Sequence, residues 1–262
     1  MIDKLTVMHR ISASLSARMR AAAIHLALSA FVAGLSAILV FWLWYPTPYR
    51  DISGGRELFI LVISVDLVLG PLLTFAVFDL RKGWSHLSKD LAIIVAFQMA
   101  GLAYGIYTTI QARPIALVFE VDRYRVVTAA MVDHQELHAA PPEFRTLPLT
   151  GPWLLGTRKS EPEEVLRSVE LASQGIDISQ RPSYWRPYDQ SRQDVAAKAR
   201  PASQLLKQYP DARDEITAEI HRQGLEIHSA FFLPLVARTQ GWSVLLNQRG
   251  DVVGFLRYDG FF

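Results

Sequence analysis

The sequence predicts a membrane α-helical bundle of three transmembrane helices followed by an α+β extracytoplasmic domain. Two observations carry this reading. Residues 21–45, 58–78 and 91–110 form three apolar runs whose one formal charge is Asp66, and the remaining Lys, Arg, Asp and Glu all lie outside them. From residue 113 onward, charged residues are mixed through short apolar stretches, the composition of an ordinary soluble domain. The expected organisation is a cytoplasmic segment over 1–20, a three-span membrane domain over 21–112 and an outer domain over 113–262.

As helices the runs would be about 37, 32 and 30 Å long at about 1.5 Å per residue, enough to cross a hydrocarbon core of about 30 Å. Arg18 and Arg20 precede the first run as they would a signal peptide. That run exceeds the usual apolar region of a cleaved signal, and no small-residue cleavage site precedes a polar start, so it reads as a permanent helix. Lys4, Arg10, Arg18 and Arg20 stand before it and Arg50 and Arg56 after it; Arg81, Lys82 and Lys89 follow the second span, and Arg113, Arg123 and Arg125 follow the third. The excess of positive charge on that side places the N-terminus in the cytoplasm and the C-terminal domain outside. Trp42, Trp44, Tyr45 and Tyr49 supply an aromatic belt at the outer end of the first span.

Asp66 lies near the middle of the second span, where a carboxylate is costly and should face protein or water. Ser36, Gln98 and Tyr104 fall at similar depth and are candidate hydrogen-bond partners. The carboxyl either joins the three helices internally or meets a polar group on another membrane protein's helix. As an ion or proton path it lacks a second charged relay residue. Gly70-Pro71 follows one turn later, and the proline's missing N–H and its ring predict a kink. Gly101 and Gly105 form a G-x-x-x-G, and Ala30 and Gly34 repeat the small-residue spacing, which lets helices approach closely within the bundle or form a groove for a partner helix. The candidate intramembrane partner contacts are Asp66, Gly70, Pro71, Gln98, Gly101 and Gly105.

In the outer domain, residues 115–121 and 124–132 read as two strands with Asp122-Arg123 as their turn. Pro141, Pro142, Pro148 and Pro152 mark a loop. Ser160, three residues before Glu163, reads as the capping start of a helix carrying Val165, Leu166, Val169 and Leu171 and ending at Gly175. Residues 179–210 read as irregular, with short helices at 190–199 and 202–208. Tyr184, Trp185 and Tyr188 are expected to be exposed or half-buried there, which makes them candidate periplasmic contacts. A further helix is expected over 211–223. Strands at 230–237, 242–247 and 252–258 close the chain, and the hairpins should share one sheet.

No catalytic constellation is legible, and the reading is of a non-enzyme without cofactor. His134 and His138 are four apart, but the order His-Gln-Glu-Leu-His lacks the glutamate directly after the first histidine that a zinc-protease helix needs. Arg249-Gly250-Asp251 between two strands is turn chemistry. There is no cysteine for a disulfide or thiolate site, no phosphate-binding glycine loop and no G-x-S-x-G. Residues 113–262 carry one more acid than base, which excludes a nucleic-acid footprint. A second reading is a small membrane sensor or transporter subunit with a periplasmic ligand-binding domain. It is disfavoured by the short cytoplasmic segments and the sparse polar groups in the spans.

The strings Tyr45-Pro46-Thr47-Pro48-Tyr49-Arg50-Asp51-Ile52-Ser53-Gly54-Gly55 and Asp66-Leu67-Val68-Leu69-Gly70-Pro71-Leu72-Leu73-Thr74 closely resemble bacterial type IV pilin accessory proteins of the TfpX/TfpZ type. So do Gln111-Ala112-Arg113-Pro114, Val118-Phe119-Glu120-Val121-Asp122-Arg123, Phe231-Phe232-Leu233-Pro234-Leu235 and the terminal Val252-Val253-Gly254-Phe255-Leu256. The resemblance covers about residues 20–135 and returns near the end; 140–225 does not take part. It implies a chaperone-like helper of pilin stability or pilus assembly in the bacterial inner membrane. The implied partner is a type IV major pilin, together with other pilus assembly proteins and membrane lipid.

Overall fold

The computed structural model describes residues 2–262, with side chains from Ser14 onward apart from Leu58 and Leu80. Lys4 and Arg10, which entered the orientation argument, and Leu58, which opens the second apolar run, lie outside the described side chains. Uninterrupted apolar sequence becomes three long helices. Helix α1 (Ile2–Ile38) widens into a π-helix over Leu39–Trp44; after the short α2 (Tyr49–Ile52) come α3 (Gly55–Val77) and α4 (Trp84–Ala112). Residues 14–44, 55–77 and 84–112 are long and apolar enough to cross a membrane by length and composition. Helix α4 starts before its apolar run because Ser85, Lys89 and Asp90 carry helical backbone past the apolar window. Pro71 lies inside α3.

The second compact unit is assembled from residues 43–55 and 111–262. Its strands are β1 (Pro114–Glu120), β2 (Arg123–Thr128), β3 (Trp153–Thr157), β4 (Trp185–Pro187), β5 (Arg200–Pro201), β6 (Phe231–Val236), β7 (Trp242–Leu246) and β8 (Val252–Leu256). They form one sheet in the order β4-β3-β1-β2-β6-β7-β8, with β5 paired to β6. The expected hairpins do share it: Tyr124 of β2 lies parallel to Leu235 of β6. Helices α5 (Val165–Ser173), α6 (Arg192–Lys198), α7 (Ser203–Gln208) and α8 (Arg213–Arg222) complete the unit.

Strand alternation divides the core. Leu233, Val244 and Leu246 point to one face with Leu117, Phe119 and Ile52. Phe232 and Leu245 point to the other, where α7 and α8 contribute Leu205, Leu206, Ile216 and Ile220. The loop between the first two long helices is thus structural. Ile52 is fully buried, and Thr239 donates its amide to the Ile52 carbonyl at 3.1 Å and its hydroxyl to the same oxygen at 2.8 Å.

Several expectations are corrected. Strands β3, β4 and β5 fall where the prolines and brevity of the segments concealed them. The β1–β2 turn is Val121-Asp122, since Glu120 pairs with Arg123. The helical start before α5 is capped by Glu161 rather than Ser160: Glu164 accepts the Glu161 amide at 2.9 Å, and Arg158 donates to both Glu164 oxygens at 2.6 and 2.7 Å.

Two predictions follow from these local geometries. Val121 has φ 54° and is 67% exposed, and the Asp122 amide donates to the Glu120 carbonyl at 2.6 Å. This is a γ-turn of the strained positive-φ form, holding a β-branched residue where such residues are outliers. Val121→Gly should stabilise the domain by about 1 kcal/mol, because strain of about 1–3 kcal/mol is relieved and part is returned as chain entropy. Denaturation of the full chain in detergent checks this, and an unchanged or lower midpoint refutes it. The hydrogen bonds from Arg158 and the Glu161 amide hold the Glu164 carboxyl at about 2, below its ordinary 4.5. A lowered folded value means the contribution is complete above about pH 4.5 and is lost as pH falls toward 2. Screening at this part-exposed site keeps it small. Glu164→Gln should flatten stability against pH over that window; an identical slope in the variant would sink the assignment.

Candidate functional site

The polar residues of the helical unit converge on His25 of α1. Its Nδ1 lies 2.5 Å from Thr74 Oγ1 on α3, and its Nε2 lies 2.5 Å from Gln98 Oε1 on α4. The Gln98 amide then donates to the Asp66 backbone carbonyl at 3.4 Å. An amide oxygen can only accept, so His25 Nε2 carries a hydrogen, and in the neutral ring Nδ1 accepts from the Thr74 hydroxyl. One side chain from each long helix is therefore tied into a single chain of hydrogen bonds. Thr74 is buried, His25 and Gln98 are half-buried, and nothing bulkier than Gly70 fits beside them. A Cβ at Gly70 would overlap the Gln98 amide and press on His25 Nε2 at 3.0 Å.

The six sequence-predicted contacts separate on this geometry. Asp66 and Gln98 do meet, through the Asp66 carbonyl rather than its carboxyl. Tyr104, expected near Asp66, is 69% exposed. Gly70 and Gly105 are both used inside the unit, Gly105 so closely that a Cβ would run into Val62. A Cβ at Gly101, one turn earlier, would meet nothing within 4 Å, and neither would one at Gly34. Pro71 lies directly after Gly70 within α3.

His25 and Thr74 were missed because a histidine counts as uncharged in a formal tally and a single threonine is ordinary in a span. The signal was available in depth. His25 lies near the N-terminal end of the first run, Thr74 near the C-terminal end of the second and Gln98 near the start of the third, so antiparallel helices bring them level.

In the sheet domain, the expectation of exposed Tyr184, Trp185 and Tyr188 is corrected: they are 0, 2 and 7% exposed. Trp185 Nε1 donates to the Ser179 carbonyl at 2.8 Å, and the Tyr188 hydroxyl bonds Tyr124 at 2.6 Å and donates to the Gly250 carbonyl. Arg158 and Arg181 lie over the Tyr184 ring at 4.2 and 4.6 Å. Arginine partners and backbone acceptors let aromatic residues sink within a polar sequence. Glu136 accepts from Arg181 at 2.7 Å and from Ser183 at 2.5 Å, and it lies with His134 and His138 in a 3₁₀ helix. Among the described residues no group of three or more His, Cys, Asp or Glu could hold a metal ion. Arg249-Gly250-Asp251 is a turn: Asn247 Oδ1 accepts the Arg249 and Asp251 amides at 2.9 and 3.0 Å, and Gly250 has φ 78°.

The model of the fimbrial assembly protein FimB family matches residues 13–54, the first long helix with most of the loop that enters the sheet domain. A fimbrial assembly protein of serogroup I from Dichelobacter nodosus is 37% identical over 241 residues, 91% of this chain and 94% of that protein. The chain belongs to the fimbrial assembly protein family. A serogroup E1 member from the same organism is 36% identical over the same shares of the two chains. A fimbrial assembly protein of serogroups C1 and C2 from the same organism is 39% identical over 117 residues, 45% of this chain and 89% of that protein. No solved structure matches the chain. Membership agrees with the resemblance to type IV pilin accessory proteins carried by the sequence strings.

The two glycines give a paired prediction. Gly105→Leu should cost about 1–3 kcal/mol by overpacking against Val62, whereas Gly101→Leu should leave the unit's stability unchanged. Thermal unfolding of the two full-length variants in detergent decides it; equal losses in both would refute the distinction.

Proposed function

We propose that this member of the family is a non-enzymatic inner-membrane accessory protein, chaperone-like toward a type IV pilin during pilus assembly. The observation that carries the reading is kinship over 91% of the chain with a fimbrial assembly protein. Three helices of spanning length and the distribution of Lys and Arg support a multi-pass arrangement with the N-terminus cytoplasmic and the sheet domain periplasmic. A pilin awaiting assembly presents one long apolar helix in the membrane and a globular head outside, so a client of this shape meets both halves of the molecule. Within the spans, Gly101 is the predicted contact that keeps an open face, while Gly70, Gln98 and Gly105 are occupied by the unit's own packing.

In a strain lacking the gene, surface pili and pilin level should fall and be restored by the wild-type chain. Gly101→Leu should fail to restore pili while accumulating normally in the membrane. Asp66→Ala should have the milder effect, because Gln98 bonds the Asp66 backbone rather than its side chain. Pili counted by microscopy and pilin measured by immunoblot test this. Unchanged pili in the deletion strain would end the accessory reading, and full rescue by Gly101→Leu would end the helix contact.

A further inference from the structure

Helix α5 is fastened to the sheet domain by its polar side. Val165, Leu166, Val169 and Ala172 recur at the spacing of the stripe that a helix ordinarily turns to a core. Yet Leu166 is 80%, Val169 62% and Val165 48% exposed, and no residue of the helix is buried. The attachment runs through hydrogen bonds instead. The Ser168 hydroxyl bonds the Tyr184 hydroxyl at 3.0 Å and accepts from Arg181 at 3.2 Å, and Arg158 holds Glu164 just before the helix.

A second, independent feature meets this stripe. Val121, the exposed residue of the strained turn between β1 and β2, lines one cleft of about 440 Å³ together with Val165, Val169 and Ala172. Backbone strain and uncovered apolar side chains each cost stability, and where both are kept in one place they mark a surface that meets something else. Charge decides what. The arginines lining the cleft are neutralised within the domain, Arg125 by Glu120 at 2.9 Å and Asp177 at 2.6 Å, and Arg123 by Asp122 at 2.7 Å. Glu163 and Glu170, three residues before and four after Leu166, border the stripe, are exposed and have no ion pair among the described residues. Arg167, the one base of α5, falls on the side of the helix away from the stripe. The uncompensated charge beside the apolar face is therefore negative.

We propose that the α5 stripe and Val121 form a docking surface for a protein partner whose apolar patch is bordered by Lys and Arg; that the partner is the pilin rests on the function proposed above. An apolar centre with a charged rim is the anatomy of a protein interface. A helix lying on anionic lipid carries Lys and Arg beside its apolar face, where α5 has carboxylates. Two copies packed stripe to stripe would bring acidic rims together with no unpaired base between them.

The test is photo-crosslinking of the full-length chain in pilin-expressing cells, with benzoylphenylalanine at Leu166 or at Gly101 in the spans. The expected result is a pilin adduct at Leu166 that falls about tenfold in the double variant Glu163→Lys, Glu170→Lys, with the membrane level of the chain unchanged. Val121→Gly should also weaken the adduct while raising the unfolding midpoint, a combination that a purely structural residue would not produce. A pilin adduct at Gly101 with none at Leu166 overturns the docking surface and keeps the function. A Leu166 adduct to lipid or to a second copy, or a pilin adduct indifferent to the charge reversal, also overturns the surface. Absence of pilin from both positions overturns the function together with the surface.

Discussion

The sheet domain depends on one buried isoleucine supplied from far away in the sequence. Ile52 belongs to a loop between two long apolar helices, yet it fills the same core as Leu233 and Val244 and is held there by Thr239. The chain must therefore leave α1, give up residues 43–55 to the sheet domain, run through α3 and α4, and only then provide the strands that enclose them. Such closure carries a loop entropy that grows with the length of chain enclosed, so the contacts that complete the domain are strongly non-local. It also explains the loop itself. The ten residues between Trp44 and Gly55 are more than a helix-to-helix connection needs, and the segment's aromatic and small residues have specific seats: Tyr49 packs edge-on against Phe255, and a Cβ at Gly55 would strike the Tyr45 ring.

The long helices were legible because their signal is compositional and sums over twenty or more residues. The β6–β7–β8 meander was legible because it is three short apolar runs whose turns carry Gly241 and Gly250. The remaining misses share a cause: the feature depended on a partner distant in sequence. Trp153 to Thr157 looks like the tail of a proline loop until Ala116 to Phe119 pair with it in parallel. Tyr184, Trp185 and Tyr188 look like surface aromatics until Arg158, Arg181, Ser179 and Gly250 meet their polar atoms and rings. Ser160 and Glu163 satisfied the capping pattern, but Arg158 fixes Glu164 instead and moves the cap by one residue.

The same distinction sorts the candidate site. Asp66 drew attention as the single formal charge in the spans, and a charge in an apolar run demands a partner. The structure gives the partnership to other polar groups: His25, Thr74 and Gln98 exchange the short hydrogen bonds, and Asp66 joins through its backbone. This arrangement is better suited to fixing helix register than to recognising another protein. Each ring nitrogen of His25 is committed to a different helix, so rotation or sliding of any one helix breaks a part-buried hydrogen bond worth about 0.5–1.5 kcal/mol. A helix unit locked in this way has no need of close-packed small residues on every face, and Gly34 and Gly101 are indeed left open while Gly70 and Gly105 are filled.

Occupied and unoccupied features therefore carry different information about function. A small residue pressed against a neighbour reports the molecule's own assembly, as Gly70 does against Gln98 and Gly105 against Val62. Gly101 differs, because a Cβ there would meet nothing within 4 Å among the described side chains. An open glycine admits the close approach of another helix, which van der Waals packing can hold in lipid.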